Sequence, residues 1–280
     1  MGVPLPRCNG ERALDCGWQL AFDWARWPVH CRAMPSCRLP SAASFVCVLL
    51  FASAASAGPP FDTDDPEPTE TGHWEIYAPV ADIEGKGKVF AGGIGLELNY
   101  GAAPNLQLTV GLTGAYAHDA AGWRWGAGDV AVSAKYRFYH NERAGIQIAA
   151  FPGITLPTAS NGLGAGRVTA LLPVWIQKDS GPWSVFGGGG YAINPGPGNR
   201  DYFTGGVAVT RKLSGRLLLG LEADRHSADT IGGSGVASLG LGGIYRLNGH
   251  LRLLVQGGPN FDDNGGSAGY HGFLALGVDY

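Results

Sequence analysis

The chain has 280 residues, of which 45% are hydrophobic and only 15% charged, and its formal net charge is −3. That acidic balance excludes nucleic acid as the main partner, which wants a basic face, and no run of 18 apolar residues offers a transmembrane helix. All five cysteines (Cys8, Cys16, Cys31, Cys37, Cys47) lie in the first 47 residues, so no disulfide framework, Cys-ligated metal or Cys nucleophile is expected beyond them.

Arg38 precedes an apolar run that closes on Ala55-Ser56-Ala57. A short basic start, an apolar core and a small-x-small ending make a secretory signal, and the run is shorter than the roughly 20 residues of a spanning helix. Residues 34–57 are therefore predicted to be a signal peptide beginning at Met34 and cleaved after Ala57. Residues 1–33 carry Trp18, Trp24 and Trp27 without strand or helix period; they are read as a misassigned start and set aside. The 223 residues from Gly58 hold 15 Lys plus Arg, 20 Asp plus Glu and 43 of the 46 glycines. Residues 58–72 are acidic and proline-rich. Proline cannot donate to a ladder, which predicts an extended periplasmic lead-in.

From Trp74 apolar residues recur at every second position, the period of a strand with one greasy face. Trp74, Ile76, Ala78 and Val80 form the first such face. Phe90, Ile94, Leu96, Leu98 and Tyr100 form the second, and Leu106, Leu108, Val110, Leu112 and Tyr116 the third. The fourth is Val130, Val132, Ala134, Tyr136 and Phe138; the fifth Ile146, Ile148, Ala150, Ile154 and Leu156; the sixth Val168, Ala170, Leu172, Val174 and Ile176. Faces seven to eleven begin at Trp183, Phe203, Leu217, Leu239 and Leu251. In the twelfth, Leu274, Leu276, Val278 and Tyr280 alternate with Ala275, Gly277 and Asp279. That pattern, ending on an aromatic residue, resembles the closing strand of bacterial outer-membrane barrels, where it is the signal read by the insertion machinery.

About twelve strands joined by connections of alternating length predict an all-β fold, a single antiparallel transmembrane barrel spanning residues 73–280, with short periplasmic turns and longer extracellular loops. Trp74, Tyr100, Tyr116, Phe138, Trp183, Tyr245 and Tyr280 stand near strand ends, as interfacial girdles require. A soluble sandwich would show the same alternation with its apolar face buried. The opposite face is polar and carries both charge signs. Glu75, Glu97, Lys135, Arg137, Arg167, Glu222, Asp224, Arg246 and Arg252 are its pore-lining candidates, either bordering a narrow water-filled pathway or pairing off as a plug.

Catalytic signatures are weak. Gly265-Gly266-Ser267-Ala268-Gly269 has nucleophile-elbow spacing without the strand-turn-helix context. Gly187–Ala192 fits a loose GxGxxA with no helix after it. The histidines show no metal-ligand spacing, and Asp62-Thr63-Asp64-Asp65 reads as a solvated acidic segment. No cofactor, metal or enzymatic activity is expected. A lipid hydrolase would need His271 near Ser267.

The segments Pro60–Ile76, Gly128–Phe138 and Phe151–Thr158 are similar to an outer-membrane family labelled for the MetA pathway of phenol degradation, which includes the channel that exports functional-amyloid subunits. The resemblance covers residues 58–280 and implies a twelve-stranded barrel and passive transport. The amyloid-export member carries a long helical extension, whereas this chain has no such segment between residues 58 and 73. The expectation is a channel for small solutes, hydrophobic or aromatic compounds among them, with a plugged structural barrel or a secretion channel as alternatives. Its partners would be outer-membrane lipids, the insertion machinery and the solutes, with oligomerisation left open.

Overall fold

The computed structural model describes residues 60–263 and 269–280. The expected signal peptide, residues 1–33 and Ser267 lie outside the described residues. Among the described residues there is no helix. Fourteen strands form one antiparallel sheet: β1 (Trp74–Lys86), β2 (Val89–Ala103), β3 (Leu106–Asp119), β4 (Gly122–Ala127), β5 (Val130–Asn141), β6 (Ile146–Ala150), β7 (Gly153–Leu156), β8 (Thr169–Ser180), β9 (Trp183–Ile193), β10 (Tyr202–Lys212), β11 (Leu217–His226), β12 (Val236–Arg246), β13 (Leu251–Asp262) and β14 (Gly269–Asp279).

These make twelve traversals. Segments β4 and β5 both pair with β3, above and below a break at Gly128-Asp129, where the Asp129 carboxylate accepts the Ala159 and Ala165 amides at 2.9 and 2.8 Å. Segments β6 and β7 both pair with β5 and β8 around Phe151-Pro152, where proline lacks the N–H a ladder requires. The sheet closes through β1 and β14, in register from Glu75↔Asp279 to Gly85↔Tyr270. Closure removes the open edges that lipid does not tolerate.

The apolar faces point outward. Ile94 (53% exposed), Leu221 (63%) and Leu241 (62%) typify a band of large hydrophobic side chains on the outer wall, while Glu97, Lys135 and Arg252 are fully buried on the inside. A soluble sandwich would have the reverse, so this alternation belongs to a barrel immersed in lipid. Tyr280 (71% exposed) and Leu274 face outward, with Leu276 and Val278 half-buried on the same side; Ala275 and Gly277 are buried inward, the faces expected of the terminal strand. Leu241 sits at the middle of β12. Leu241→Arg is expected to destabilise the barrel by about 2–4 kcal/mol, read as a lower urea midpoint in lipid vesicles. An unchanged midpoint would mean that this face does not meet hydrocarbon.

Three expectations are corrected. The first face is interrupted by a bulge between Tyr77 and Val80, so Val80 turns inside with Tyr77, both buried, rather than outside with Trp74 and Ile76. Proline at position 79 is tolerated there because a bulge already breaks the ladder. The third and fourth strands do not flank a long connection; they continue past the wall as a hairpin closed by residues 120–121. The third correction concerns residues 58–72. Over their described part, from residue 60, they do not form a periplasmic extension. Phe61, Thr63, Asp64, Asp65 and Thr69 are 0–4% exposed, packed against the inner wall.

Candidate functional site: the barrel lumen

Residues 60–70 cross the lumen between opposite walls. At one end Phe61 meets Phe186 of β9 edge-on, with ring centroids 6.2 Å apart, and joins it in a buried cluster with Ala208 of β10. The wall beneath is glycine for a steric reason: a Cβ on Gly220 of β11 would stand 2.6 Å from Phe61 Cζ. The Asp62 amide donates to Glu222 Oε2 at 3.0 Å, the Thr63 amide to Glu222 Oε1, and Gln256 Nε2 to Glu222 Oε2 at 2.9 Å.

The middle of the segment is held by charge. Lys135 Nζ of β5 donates to Asp64 Oδ1 at 2.7 Å and to Asp65 Oδ1 at 3.3 Å, and all three side chains are essentially unexposed. The ammonium also stands 5.0 Å from the Phe151 ring centroid. At the far end the Thr69 amide donates to Gln107 Oε1 at 2.8 Å, Gln107 Nε2 donates to Asn99 Oδ1 at 2.9 Å, and Asn99 Nδ2 donates to Glu97 Oε1 at 2.8 Å. The chain leaves along the rim, where Gly72 N donates to Gly101 O at 2.8 Å. A Cβ on Gly101 would strike the Glu70 carbonyl.

The sequence-predicted pore residues therefore separate into groups. Glu75, Glu97, Lys135, Glu222 and Arg252 are buried on the inner wall. Arg252 Nη2 of β13 donates to Tyr77 Oη at 2.9 Å and to Asp279 Oδ1 at 2.5 Å, and stands 3.6 Å from Glu75 Oε1, spanning the β1–β14 seam. Asp224 is half-buried beside Glu222, and one carboxylate oxygen from each of Asp62, Glu222 and Asp224 falls within 4.8 Å of the others. Arg246 is half-buried in register with Arg252. Arg137 sits near the short-turn end, donating to Asn105 Oδ1 at 3.0 Å and Gln147 Oε1 at 2.6 Å. Arg167 is off the wall: β8 begins at Thr169, and Arg167 is exposed in the preceding loop. His271 Nδ1 lies 2.5 Å from Asn260 Oδ1.

Phe61, Thr63, Asp64, Asp65 and Thr69 were missed as luminal residues, because proline and acid content reads as a solvated tail. The available signal was complementarity: four carboxylates at 62–67 in a chain whose inner wall carries Lys135. Trp175 was missed too. It is 3% exposed, its indole N–H has no acceptor among the described residues, and it lines a small cavity of about 60 Å³ with Asp64, Glu97, Ser133, Phe151 and Leu171.

The family model described as "Putative MetA-pathway of phenol degradation" matches residues 80–275. Among solved structures, an outer-membrane channel from Pseudomonas putida F1 superposes with a TM-score of 0.63 at 15% identity, covering 77% of this chain and 98% of the other. The NanC porin gives 0.51 at 9% identity (71% and 98% covered). The KdgM porin, solved with oligogalacturonate, gives 0.50 at 9% identity (74% and 99%). No curated protein matches. These likenesses establish the fold, a closed antiparallel barrel shared with outer-membrane channels and porins.

Proposed function

Since this chain belongs to the MetA-pathway phenol-degradation family and has the fold of outer-membrane channels, we propose that it is a passive, non-enzymatic channel for small solutes whose lumen is closed at rest by residues 60–69. The observation that carries this reading is the attachment of one segment to opposite walls, Glu222 on one side and Lys135 with Gln107 on the other. Each attachment is a small set of side-chain contacts that lies outside the wall's own backbone ladder, so the segment can leave without unfolding the wall. The solutes that fit are small and aromatic or amphipathic. The cavity beside the segment presents the Trp175 and Phe151 rings together with the Asp64 and Glu97 carboxylates, a lining that suits a flat apolar body with a polar group. The unpartnered Trp175 N–H supplies a donor for that group.

Single-channel recording of the protein purified from outer membranes, beside a variant lacking residues 60–69, tests the proposal. Small or infrequent steps are expected from the intact chain and large steady steps from the deletion, with ion selectivity altered by Arg246→Gln. A folded, heat-modifiable barrel that conducts in neither form would move the weight to a structural role.

A further inference from the structure

We propose that the β3–β4 hairpin and the adjoining end of β2 form a docking site for a phosphorylated glycolipid of the outer leaflet, built from Phe90, Tyr116, His118, Trp123 and Trp125 with Lys88 at its edge. The inference rests on the reading of this chain as an outer-membrane barrel.

The five rings make one continuous platform across β2, β3 and β4, on the same face as Ile94 and Leu112. Between ring centroids, His118 stands 5.2 Å from Phe90 and 5.0 Å from Trp123, Phe90 stands 5.3 Å from Trp123, and Tyr116 stands 5.2 Å from Trp125. Trp123 and Trp125 lie within 11° of parallel and are 54% and 57% exposed. The platform is held from behind and from the sides. Tyr116 Oη donates to Asp82 O at 2.9 Å, His118 Nδ1 to Lys88 O at 2.9 Å, and Asn161 Nδ2 to Trp125 O at 2.7 Å. On the other face of the ribbon Ala91, Ala115 and Ala117 pack with Leu163. A surface ordered in advance loses less entropy when it binds.

Height separates this platform from an interfacial girdle. On β3, Tyr116 follows Leu106 of the short-turn end by ten residues. At about 3.3 Å per residue and a tilt near 40° this rises about 25 Å, the full height of the apolar band. Tyr116 and its partner Trp125 therefore stand at the upper edge of the band. His118 with its partner Trp123, and Phe90 opposite His118, stand one step further on, about 5 Å above it. A girdle explains the lower pair. The upper three rings face outward at the level of the headgroups. Sugars suit them, because the C–H face of a sugar ring is apolar and weakly positive and the face of an aromatic ring is negative. Charge favours the same occupant. Lys88 is exposed beside His118 and, among the described residues, forms no salt bridge, so its ammonium can take a phosphate. The acid at the hairpin tip, Asp119, is neutralised by Arg124 at 2.9 Å.

Binding of fluorescently labelled lipopolysaccharide to the detergent-purified protein, followed by anisotropy, tests the site. Saturable binding is expected, displaced by the delipidated phosphorylated saccharide and not by phosphatidylglycerol. Trp123→Ala combined with Trp125→Ala should weaken it at least about tenfold, and Lys88→Gln roughly threefold. Both tryptophans are exposed, so the double substitution leaves the barrel folded, which heat-modifiable migration and unaltered single-channel conductance verify. Absence of saturable binding by a folded barrel overturns the site and leaves the channel reading standing. So does binding that the double substitution leaves unchanged, or that phosphatidylglycerol displaces and the saccharide does not, since acyl chains or charge alone would then account for it.

Discussion

Lys135→Met is expected to weaken the barrel and free its lumen at once. Lys135 is the shared cation of Asp64 and Asp65, and none of the three is exposed to solvent. Methionine keeps the length and apolar stem of the side chain but removes the charge, leaving two neighbouring carboxylates buried with no counter-ion. Breaking a buried pair by deleting one partner costs about 3–5 kcal/mol. The segment carrying the orphaned charges has a cheaper course than protonation, which is to undock into water. The variant should therefore lose heat stability and show larger or more frequent conductance steps. Adding Asp64→Asn and Asp65→Asn removes the stranded charges and should restore part of the stability while leaving the conductance high. Wild-type conductance together with wild-type stability for Lys135→Met would show that the ion pair does not hold the segment.

Arg252→Met should act on the wall rather than on the segment. The guanidinium joins β13 to Glu75 and Tyr77 of β1 and to Asp279 of β14, and its Cζ lies 5.5 Å from the Tyr77 ring centroid. These strands form the closure, which holds only if β1 and β14 stay in register. Removing the cation takes from buried Glu75 its guanidinium neighbour, while Asp279, partly exposed, keeps Arg246 nearby, so the expected cost falls below the roughly 3–5 kcal/mol of a fully orphaned buried charge. The expected result is a lower unfolding midpoint in urea and a lower temperature for the heat-induced mobility shift. Arg252→Lys should recover only part of the loss, because an ammonium keeps the charge but not the fork that reaches several partners. A midpoint equal to that of the unaltered protein would mean that the seam is held by its backbone ladder alone.

Much of the barrel was legible because its signals are local. Leu106, Leu108, Val110 and Leu112 point one way and Gln107 and Thr109 the other whatever the rest of the chain does, since alternation is a property of the extended backbone. The same reasoning picked out Glu97, Lys135, Glu222 and Arg252 as interior. It failed where a single residue changes the period. The bulge at Ala78-Pro79 turns Val80 inward, and nothing in an apolar alternation announces that slip.

What the sequence by itself determined was the class: twelve alternating traversals, an apolar outer face and a polar inner one. These follow from a period of two and from the need of every strand edge to be paired in lipid. Only the tertiary structure decided the fate of the acidic, proline-rich stretch before Trp74. Its composition suits water, and water is where local rules put it. Its contacts with Lys135, Gln107 and Glu222 span about 38 to 160 positions of sequence, and no local pattern encodes them. Closing the sheet brings those three residues around one lumen. There the carboxylates of Asp64 and Asp65 gain a buried lysine, and the Asp62 and Thr63 amides gain a carboxylate, that an open strand array could not have supplied.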